Sequence, residues 1–200
     1  MNCKRVVAIS FGAVWFGGVI LGLGMLLLFD TAPGAQGSPP PRWPESSTIP
    51  RTPGRATLII AAHPQCSCTR ASVAELARIM AILTGRLDAR VIVLSPTGVP
   101  RAWVENELWR SVQEIPGATA VADAGGREAD LFELETSGHA LLYDADGNLR
   151  FSGGITSMRG HEGDNAGRSA IVALVSGRTP AIDRTLVFGC ALRADSKGRE

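Results

Sequence analysis

The sequence predicts an α/β fold in which a mixed sheet is flanked by helices and preceded by one N-terminal transmembrane helix. Three observations support this prediction: a long uncharged stretch near the N-terminus, apolar runs that alternate with amphipathic stretches, and an Asp-Gly turn between the last two runs. Apolar runs that alternate with helical patterns indicate parallel strands joined by crossover helices. An Asp-Gly turn indicates an antiparallel hairpin.

The N-terminal stretch, residues 6–29, reads VVAISFGAVWFGGVILGLGMLLLF and contains no charged side chain. A helix of this length can cross a bilayer, and its apolar part is longer than that of a cleavable signal peptide. Lys4 and Arg5 precede the span, and Asp30 follows it. The positive-inside rule therefore places residues 1–5 in the cytoplasm, and we expect a single-pass inner-membrane protein with a periplasmic C-terminal domain.

The rest of the chain divides by composition. Residues 30–55 contain seven of the 12 prolines, which predicts an extended Pro-rich linker with little to bury. The folded domain is expected over residues 56–187, and residues 188–200 are expected to form a frayed C-terminal tail. The net charge of +1 and the scattered arginines argue against a nucleic-acid partner.

Within the domain, the hydrophobic pattern predicts nine elements in the order strand, helix, strand, helix, strand, helix, strand, strand, helix. The strands are expected at residues 57–62, 90–94, 118–122, 140–144 and 149–152, and the helices at residues 69–83, 101–112, 129–134 and 165–175.

Cysteine chemistry is suggested by the stretch HPQCSCT, residues 63–69, between the first strand and the first helix. Cys66 and Cys68 then lie close to a helix N-terminus, where the helix dipole favours the thiolate. His63 could tune the pair. Outside the cytoplasm, a Cys-x-Cys is oxidised, actively kept reduced or bound to a metal.

Three disulfide pairings remain open from the sequence. A Cys66–Cys68 bridge would close a small, strained ring, and strained bridges are more oxidising. Alternatively, Cys190 pairs with Cys66 or Cys68, as a resolving thiol or a structural staple. We expect Cys66 to be the nucleophile, because it is further from the helix than Cys68 and therefore more exposed.

A Gly-rich run after the hairpin, SGGIT, precedes the segment RGHEGDN. One interpretation is a loop that ends in a helix cap. The other places Arg159 and His161 near the cysteines, where they bind an acidic group or tune a thiol.

The segment AVADAGGREADLFELETSGHALLYDADGNLRFSGGIT, residues 120–156, resembles the thioredoxin-like superfamily, and most of all its membrane-anchored TlpA-type and peroxiredoxin-like branch. The runs Cys-Ser-Cys-Thr, Ser-Gly-Gly-Ile-Thr and Arg-Gly-His are similar to those of bacterial RedB-type proteins. The resemblance covers residues 56–177 and implies a redox site at HPQCSCT. The chain departs from the pattern in its Cys-x-Cys spacing and in Gly138, beside His139, where the family usually carries a cis-proline facing the cysteines.

The predicted function is thus a membrane-anchored, extracytoplasmic thiol–disulfide oxidoreductase, or a thiol peroxidase-like enzyme, that acts through Cys66 and Cys68 without a cofactor. Its partners would be protein thiols or disulfides, or a small thiol or peroxide. The alternative is a copper or zinc binding or delivery protein of the Sco type, because His63, Cys66 and Cys68 supply ligands that those metals favour. His139 or His161 would complete that shell.

Overall fold

The computed structural model describes residues 3–193, and the chain divides into two compact units at Ala32 and Pro33. The first unit is the helix α1 (Cys3–Thr31). Its segment Ile9–Thr31 is long and apolar enough to cross a membrane, in agreement with the predicted span. Part of the predicted frayed tail, residues 194–200, lies outside the described residues.

The second unit contains one five-stranded sheet in the order β3-β2-β1-β4-β5. Strands β1 to β3 are parallel, whereas β4 is antiparallel to both of its neighbours, β1 and β5. The predicted mixed sheet with flanking helices is therefore confirmed. Its elements are β1 (Ala56–Ala62), α2 (Cys68–Ile82), β2 (Leu87–Ser95), α3 (Arg101–Val104), α4 (Glu107–Gln113), β3 (Ala118–Ala124), α5 (Arg127–Leu131), β4 (His139–Tyr143), β5 (Leu149–Gly154) and α6 (Ala166–Val175).

The central strand β1 is apolar along its length because both of its faces are covered. Leu58 and Ile60 face a core to which α2, α4 and α6 contribute, and Ile59 and Ala61 face a second core on the other side. Alternate residues of a strand point to opposite faces, so a strand buried on both sides reads as a continuous apolar run. The end of β1 is consequently a fixed point for the loop that follows it.

Residues 33–55 do not form the predicted tether, because they pack along the second face of the sheet. The ring centroid of Trp43 lies 5.0 Å from that of Phe132 and 5.3 Å from that of Tyr143, in edge-to-face contacts. Ile49 is buried in the same core. On this face the only described helix, α5, has five residues. The Pro-rich segment therefore supplies much of the apolar cover that this face needs.

The predicted helix 101–112 is interrupted at Asn106. The Asn106 side-chain oxygen accepts hydrogen bonds from the N–H groups of Leu108 and Trp109 and so caps α4. A side chain that bonds to the backbone in this way favours a new helix start over continuation of the old helix. The Asn106 amide also donates to the carbonyl of Pro64 at 2.7 Å, which ties the start of α4 to the loop that carries the cysteines.

The domain does not end at Val187 as predicted, because residues 186–192 pack against it. We call this segment the C-terminal strap. Both Val187 and Leu192 are buried, and the Leu192 N–H donates a hydrogen bond to the carbonyl of Glu135 at 2.8 Å. The strap is therefore fixed near both of its ends, and it carries Cys190 between them.

Candidate functional site

The loop between β1 and α2 places Cys66 directly before a helix N-terminus. The Cys66 N–H donates to the carbonyl of His63 at 3.0 Å, and the Thr69 N–H donates to the carbonyl of Cys66 at 3.1 Å. Helix α2 begins at Cys68. Because the start of a helix carries partial positive charge and unpaired N–H groups, this position favours a thiolate at Cys66.

The C-terminal strap brings Cys190 to Cys66. The Sγ atoms of Cys190 and Cys66 lie 3.1 Å apart. The Ser137 N–H donates to the carbonyl of Cys190 at 2.9 Å. The residue before it, Gly189, lies so close to Ser137 that an added Cβ would be 1.9 Å from the Ser137 carbonyl oxygen. Only glycine permits this approach, and the approach positions Cys190.

The relative exposure of Cys66 and Cys68 is the reverse of what the sequence predicted. Cys66 is buried, with 4% of its surface exposed, whereas Cys68 is partly buried and Cys190 is exposed. The prediction that Cys66 is more exposed than Cys68 is wrong. Distance from the helix does not govern access here, because Cys66 lies at the base of the loop beside the strap.

The electrostatics single out Cys66 as the most readily ionised of the three thiols. Burial by itself raises its pKa, but hydrogen bonds from the Thr69 and Cys190 side chains, together with their backbone N–H groups, outweigh burial and lower the pKa to about 7. Burial and the neighbouring Cys66 raise the pKa of Cys190 to about 11. Near pH 7 the Cys66 thiol is therefore partly ionised, whereas the Cys190 thiol beside it is protonated.

Two hydroxyl groups behind Cys66 form a hydrogen-bonded chain that ends on its sulfur. The His63 N–H donates to Ser137 Oγ at 2.8 Å, and Ser137 Oγ lies 2.6 Å from Thr69 Oγ1. The Thr69 hydroxyl in turn bonds to Cys66 Sγ. Because Ser137 accepts from a backbone N–H, its own proton can be donated to Thr69, and the Thr69 proton then points to the sulfur.

Sequence reasoning missed both hydroxyl residues. Thr69 had a usable signal, because it follows Cys66 by three residues in a Cys-x-x-Thr spacing at a helix start. Ser137 had none, since only the fold brings the turn before β4 to the cysteine loop.

Cys68 occupies a different environment from Cys66. Burial and the negative charge of Cys66 raise its pKa, and the guanidinium of Arg159, which is hydrogen-bonded to it, partly offsets this rise. The Arg159 guanidinium also donates to the carbonyl of Gly189 in the strap. Arg159, which the sequence singled out, thus bridges Cys68 and the strap.

The loop that carries Arg159 is anchored by a buried carboxylate. Glu75 of α2 is fully buried, and it accepts hydrogen bonds from the Gly163 N–H at 2.9 Å and from the Asn165 amide at 3.1 Å. Arg168 forms an ion pair with the same carboxylate. Asn165 also caps α6, so the loop both ends in a helix cap and brings Arg159 to the cysteines.

His63 lies beside the site, and its ring contacts Gln65 and Trp103. Its Nδ1 accepts a hydrogen bond from the Gln65 N–H at 3.2 Å, and its ring packs edge-to-face on Trp103 at 5.7 Å. Burial lowers the pKa of His63, which favours the neutral ring. Its connection to Cys66 runs through its backbone N–H and Ser137, rather than through the imidazole.

Gly138 and His139 lie where the resemblance placed a cis-proline. Gly138 has a φ of +90°, and an added Cβ would lie 3.0 Å from Ser72 Oγ, so glycine suits this turn. The His139 side chain is fully buried and its Nε2 lies 2.9 Å from Ser152 Oγ on the neighbouring strand. His139 therefore contacts β5 instead of facing the cysteines.

The residues considered as metal ligands do not converge. His161 is exposed, and His63 and His139 use one ring nitrogen each for the contacts described above. Among the residues that the structure describes, no group of three or more His, Cys, Asp or Glu side chains could hold a metal ion. The alternative site at His63, Cys66 and Cys68 is therefore not favoured.

A cavity of about 240 Å³ opens beside Cys66. The cysteine loop forms one wall, and the start of α4 forms the other. The lining residues are Pro64, Gln65, Cys66, Ser67, Arg70, Asn106, Glu107 and Leu108. The cavity is large enough for a small molecule or one side chain, and it gives the buried Cys66 a narrow access route.

Comparison with known proteins gives similarity at the level of the fold. No family model and no curated protein matches the chain. An uncharacterized conserved protein from Geobacillus kaustophilus is 16% identical, with a TM-score of 0.57 over 83% of this chain and 94% of that one. The hypothetical protein SMc02350 from Sinorhizobium meliloti 1021 is 20% identical, with a TM-score of 0.56 over 72% and 81%. A secreted Mycobacterium tuberculosis disulfide oxidoreductase homologous to E. coli DsbE is 13% identical, with a TM-score of 0.42 over 62% and 83%.

The domain has the thioredoxin-like fold: a mixed five-stranded sheet flanked by helices, with cysteines where the central strand meets the first helix of the domain. Two features mark this particular chain. Cys66 and Cys68 have a Cys-x-Cys spacing, and Cys190 reaches the same site from the C-terminal strap.

Proposed function

We propose that this protein is a thiol–disulfide oxidoreductase whose redox pair is Cys66 and Cys190. One observation carries the proposal, the 3.1 Å separation of the two Sγ atoms. A disulfide requires about 2.05 Å between sulfurs, so a shift of about one ångström forms the bond. The low pKa of Cys66 supports the same pair, because the thiolate is the nucleophile in disulfide exchange.

The proposed pair differs from the Cys66–Cys68 pair that the spacing suggested. Cys68 begins α2, and its thiol is hydrogen-bonded to Arg159 and Cys66. A bridge between residues i and i+2 here would require the helix start to distort. The two thiols interact electrostatically instead, because the negative charge of Cys66 raises the pKa of Cys68.

We place the protein in the membrane-anchored TlpA-like branch of the thioredoxin-like superfamily. Support comes from the apolar helix α1, which has the length and composition of a membrane span. Lys4 and Arg5 before the span and Asp30 after it favour a cytoplasmic N-terminus. The domain then lies in an oxidising compartment, where a reversible dithiol has a use.

The proposal is tested by trapping thiols in the full chain in detergent over a series of glutathione potentials, with bridged peptides identified by mass spectrometry. We expect a reversible two-electron transition that yields a Cys66–Cys190 bridge. The bridge should persist in Cys68→Ser and disappear in Cys66→Ser and Cys190→Ser. A Cys66–Cys68 bridge in the unmodified chain would overturn the assigned pair, and free thiols at every potential would overturn the function.

A thiol peroxidase is the second candidate, favoured by the narrow cavity beside a buried thiolate. In that reaction the Cys66 thiolate attacks a peroxide oxygen, gives a sulfenic acid and releases an alcohol or water. The Cys190 thiol then condenses with the sulfenic acid and releases water. Peroxide consumption by the reduced chain, with sulfenic acid trapped at Cys66 in Cys190→Ser, would favour the peroxidase. Exchange with thiols and no reaction with peroxide would favour the oxidoreductase.

A further inference from the structure

The two sulfurs of the proposed pair differ in how a partner can reach them. Cys66 has 4% of its surface exposed and borders a cavity of about 240 Å³, whereas Cys190 is exposed on the strap. Thiol–disulfide exchange requires the attacking sulfur to approach one sulfur of the bond directly, so access decides which sulfur is attacked. A folded protein meets Cys190 at the surface, whereas to reach Cys66 it would have to insert a side chain into the cavity.

The strap is held in place on either side of Cys190. The Ser137 N–H donates to the Cys190 carbonyl, and the Arg159 guanidinium donates to the carbonyl of Gly189. The buried Leu192 fixes the next turn of the strap. Exposing Cys66 by lifting the strap would break these contacts, whereas attack at Cys190 leaves them intact.

The surroundings of Cys66 stabilise its thiolate, which makes Cys66 a good leaving group. When the bond between the two sulfurs breaks, the electron pair stays on Cys66 Sγ, and the thiolate is stabilised by the hydrogen bond from the Thr69 hydroxyl and by the positive end of helix α2. The pKa of Cys66 is about 7 and that of Cys190 about 11, so departure of Cys66 is the faster of the two cleavages.

We propose that a protein dithiol exchanges with this site at the exposed Cys190, and that Cys66 is the internal thiol that leaves. This inference rests on the proposed oxidoreductase function. The position of Cys66 before α2 would suggest the opposite assignment, in which Cys66 forms the mixed disulfide with the partner and Cys190 leaves.

The exchange transfers two electrons in two steps. One thiolate of the partner attacks Cys190 Sγ, forms a mixed disulfide there and expels Cys66 as a thiolate. The partner's second thiolate attacks its own sulfur in the mixed disulfide, which closes the partner's disulfide and releases the Cys190 thiolate. Cys190 takes up a proton because its pKa is high. The partner dithiol loses two electrons, and the Cys66–Cys190 disulfide gains them.

The test uses the oxidised full chain in detergent, with Cys68→Ser as a matched variant that keeps the proposed pair. A synthetic peptide with one cysteine is the probe, because without a second thiol its mixed disulfide accumulates. Acid quenching at early times and peptide mapping locate the adduct. We expect adducts at Cys190 to exceed those at Cys66 by at least about tenfold, in line with the difference in access and leaving-group pKa.

The outcomes separate this inference from the function on which it depends. Adducts mainly at Cys66 or Cys68, with the bridge consumed, would overturn the inference and leave the oxidoreductase function standing. A bridge that resists the peptide at all concentrations would count against both. A second measurement needs no turnover: a bulky polyethylene glycol maleimide should label Cys190 and not Cys66 in the reduced chain, and equal labelling would overturn the assignment.

Discussion

Cys66 Sγ lies 3.1 Å from Cys190 Sγ, although 124 residues separate the two cysteines in the chain. One partner is buried at the start of a helix, and the other is exposed on the strap. This contact joins the central strand of the sheet to the C-terminal end of the domain. Most of the expected behaviour of the site follows from it and from the groups that surround Cys66.

The first prediction concerns the Thr69 hydroxyl. Replacing Thr69 with Val removes the hydroxyl that donates to Cys66 Sγ and leaves the Cys190 thiol and the backbone N–H groups as donors, so the pKa of Cys66 should rise from about 7 part of the way toward the ordinary value near 9. Alkylation of Cys66 by iodoacetamide, followed against pH by peptide mass spectrometry, measures this. Because the thiolate reacts, the rate at pH 7 should fall by about fivefold for a rise of one pKa unit.

Thr69→Ser is the matched control, because it retains the hydroxyl. Ser137→Ala should produce a smaller rise in the same direction, since it removes the group that orients the Thr69 proton. If Thr69→Val leaves the midpoint of the Cys66 profile near 7, the hydroxyl chain does not stabilise the thiolate.

The second prediction concerns Gly189. Alanine at this position would place a Cβ 1.9 Å from the Ser137 carbonyl oxygen, so the strap must move away from the turn before β4. Cys190 should then lie too far from Cys66 for efficient bond formation. We expect the fraction of Cys66–Cys190 bridge formed at a fixed glutathione potential to fall by about tenfold, which corresponds to about 1.4 kcal/mol.

Ala191→Ser is the matched control for a change in the strap, because Ala191 is exposed and the added hydroxyl can point into solvent. It should form the bridge as the unmodified chain does. Normal bridging in Gly189→Ala would show that the close approach at Gly189 does not position Cys190.

The third prediction concerns the buried His139. Burial lowers its pKa to about 4, so the folded chain holds it neutral while the unfolded chain protonates it below about pH 6.5. Above pH 6.5 the titration of His139 therefore does not change the free energy of unfolding. As the pH falls from 6.5 toward 4, protonation of His139 in the unfolded chain lowers the free energy of unfolding. The loss from this residue alone should reach about 3 kcal/mol at pH 4, with 1.36 kcal/mol for each pKa unit.

Urea unfolding of the full chain in detergent at several pH values measures this, with His139→Gln as the comparison. Glutamine retains an amide for Ser152 Oγ and cannot titrate, so the variant should lose less stability between pH 6.5 and pH 4. Parallel curves for the two proteins would mean that His139 is not held neutral by the fold.

The fourth prediction concerns the segment before β1. Trp43 packs against Phe132 and Tyr143, so Trp43→Ala should leave a cavity and lower the free energy of unfolding by about 3 kcal/mol. Trp43→Phe should cost less, because it keeps an aromatic ring in the core. Denaturant unfolding checks both variants. An unchanged midpoint for Trp43→Ala would restore the interpretation of residues 33–55 as a linker.

The architecture could be predicted because its signals are local. Continuous apolar runs such as 57–62 predict strands buried on both faces, and the Asp-Gly turn predicts the hairpin of β4 and β5. The apolar helix and the Cys-x-Cys at the start of α2 were visible for the same reason. Each of these features is contained within a few neighbouring residues.

The predictions failed where distant residues cooperate. Proline content suggested a tether at residues 33–55, but Trp43 and Ile49 complete a core that only the folded sheet creates. Exposure of Cys66 could not be judged from its distance to a helix, because the C-terminal strap and the loop around it determine its access. Ser137 entered the site only through packing of the turn before β4 on the cysteine loop.

Local sequence patterns were therefore sufficient to predict the class of fold, the apolar helix and the position of Cys66 and Cys68, because backbone periodicity and turn chemistry act over short stretches. The tertiary structure decided that Cys190 lies against Cys66, that Thr69 and Ser137 supply hydrogen bonds to this site, and which cysteine is exposed. The Thr69–Ser137 and Cys66–Cys190 contacts join residues that are 68 and 124 positions apart, and packing of the strap and turns around the sheet brings them together.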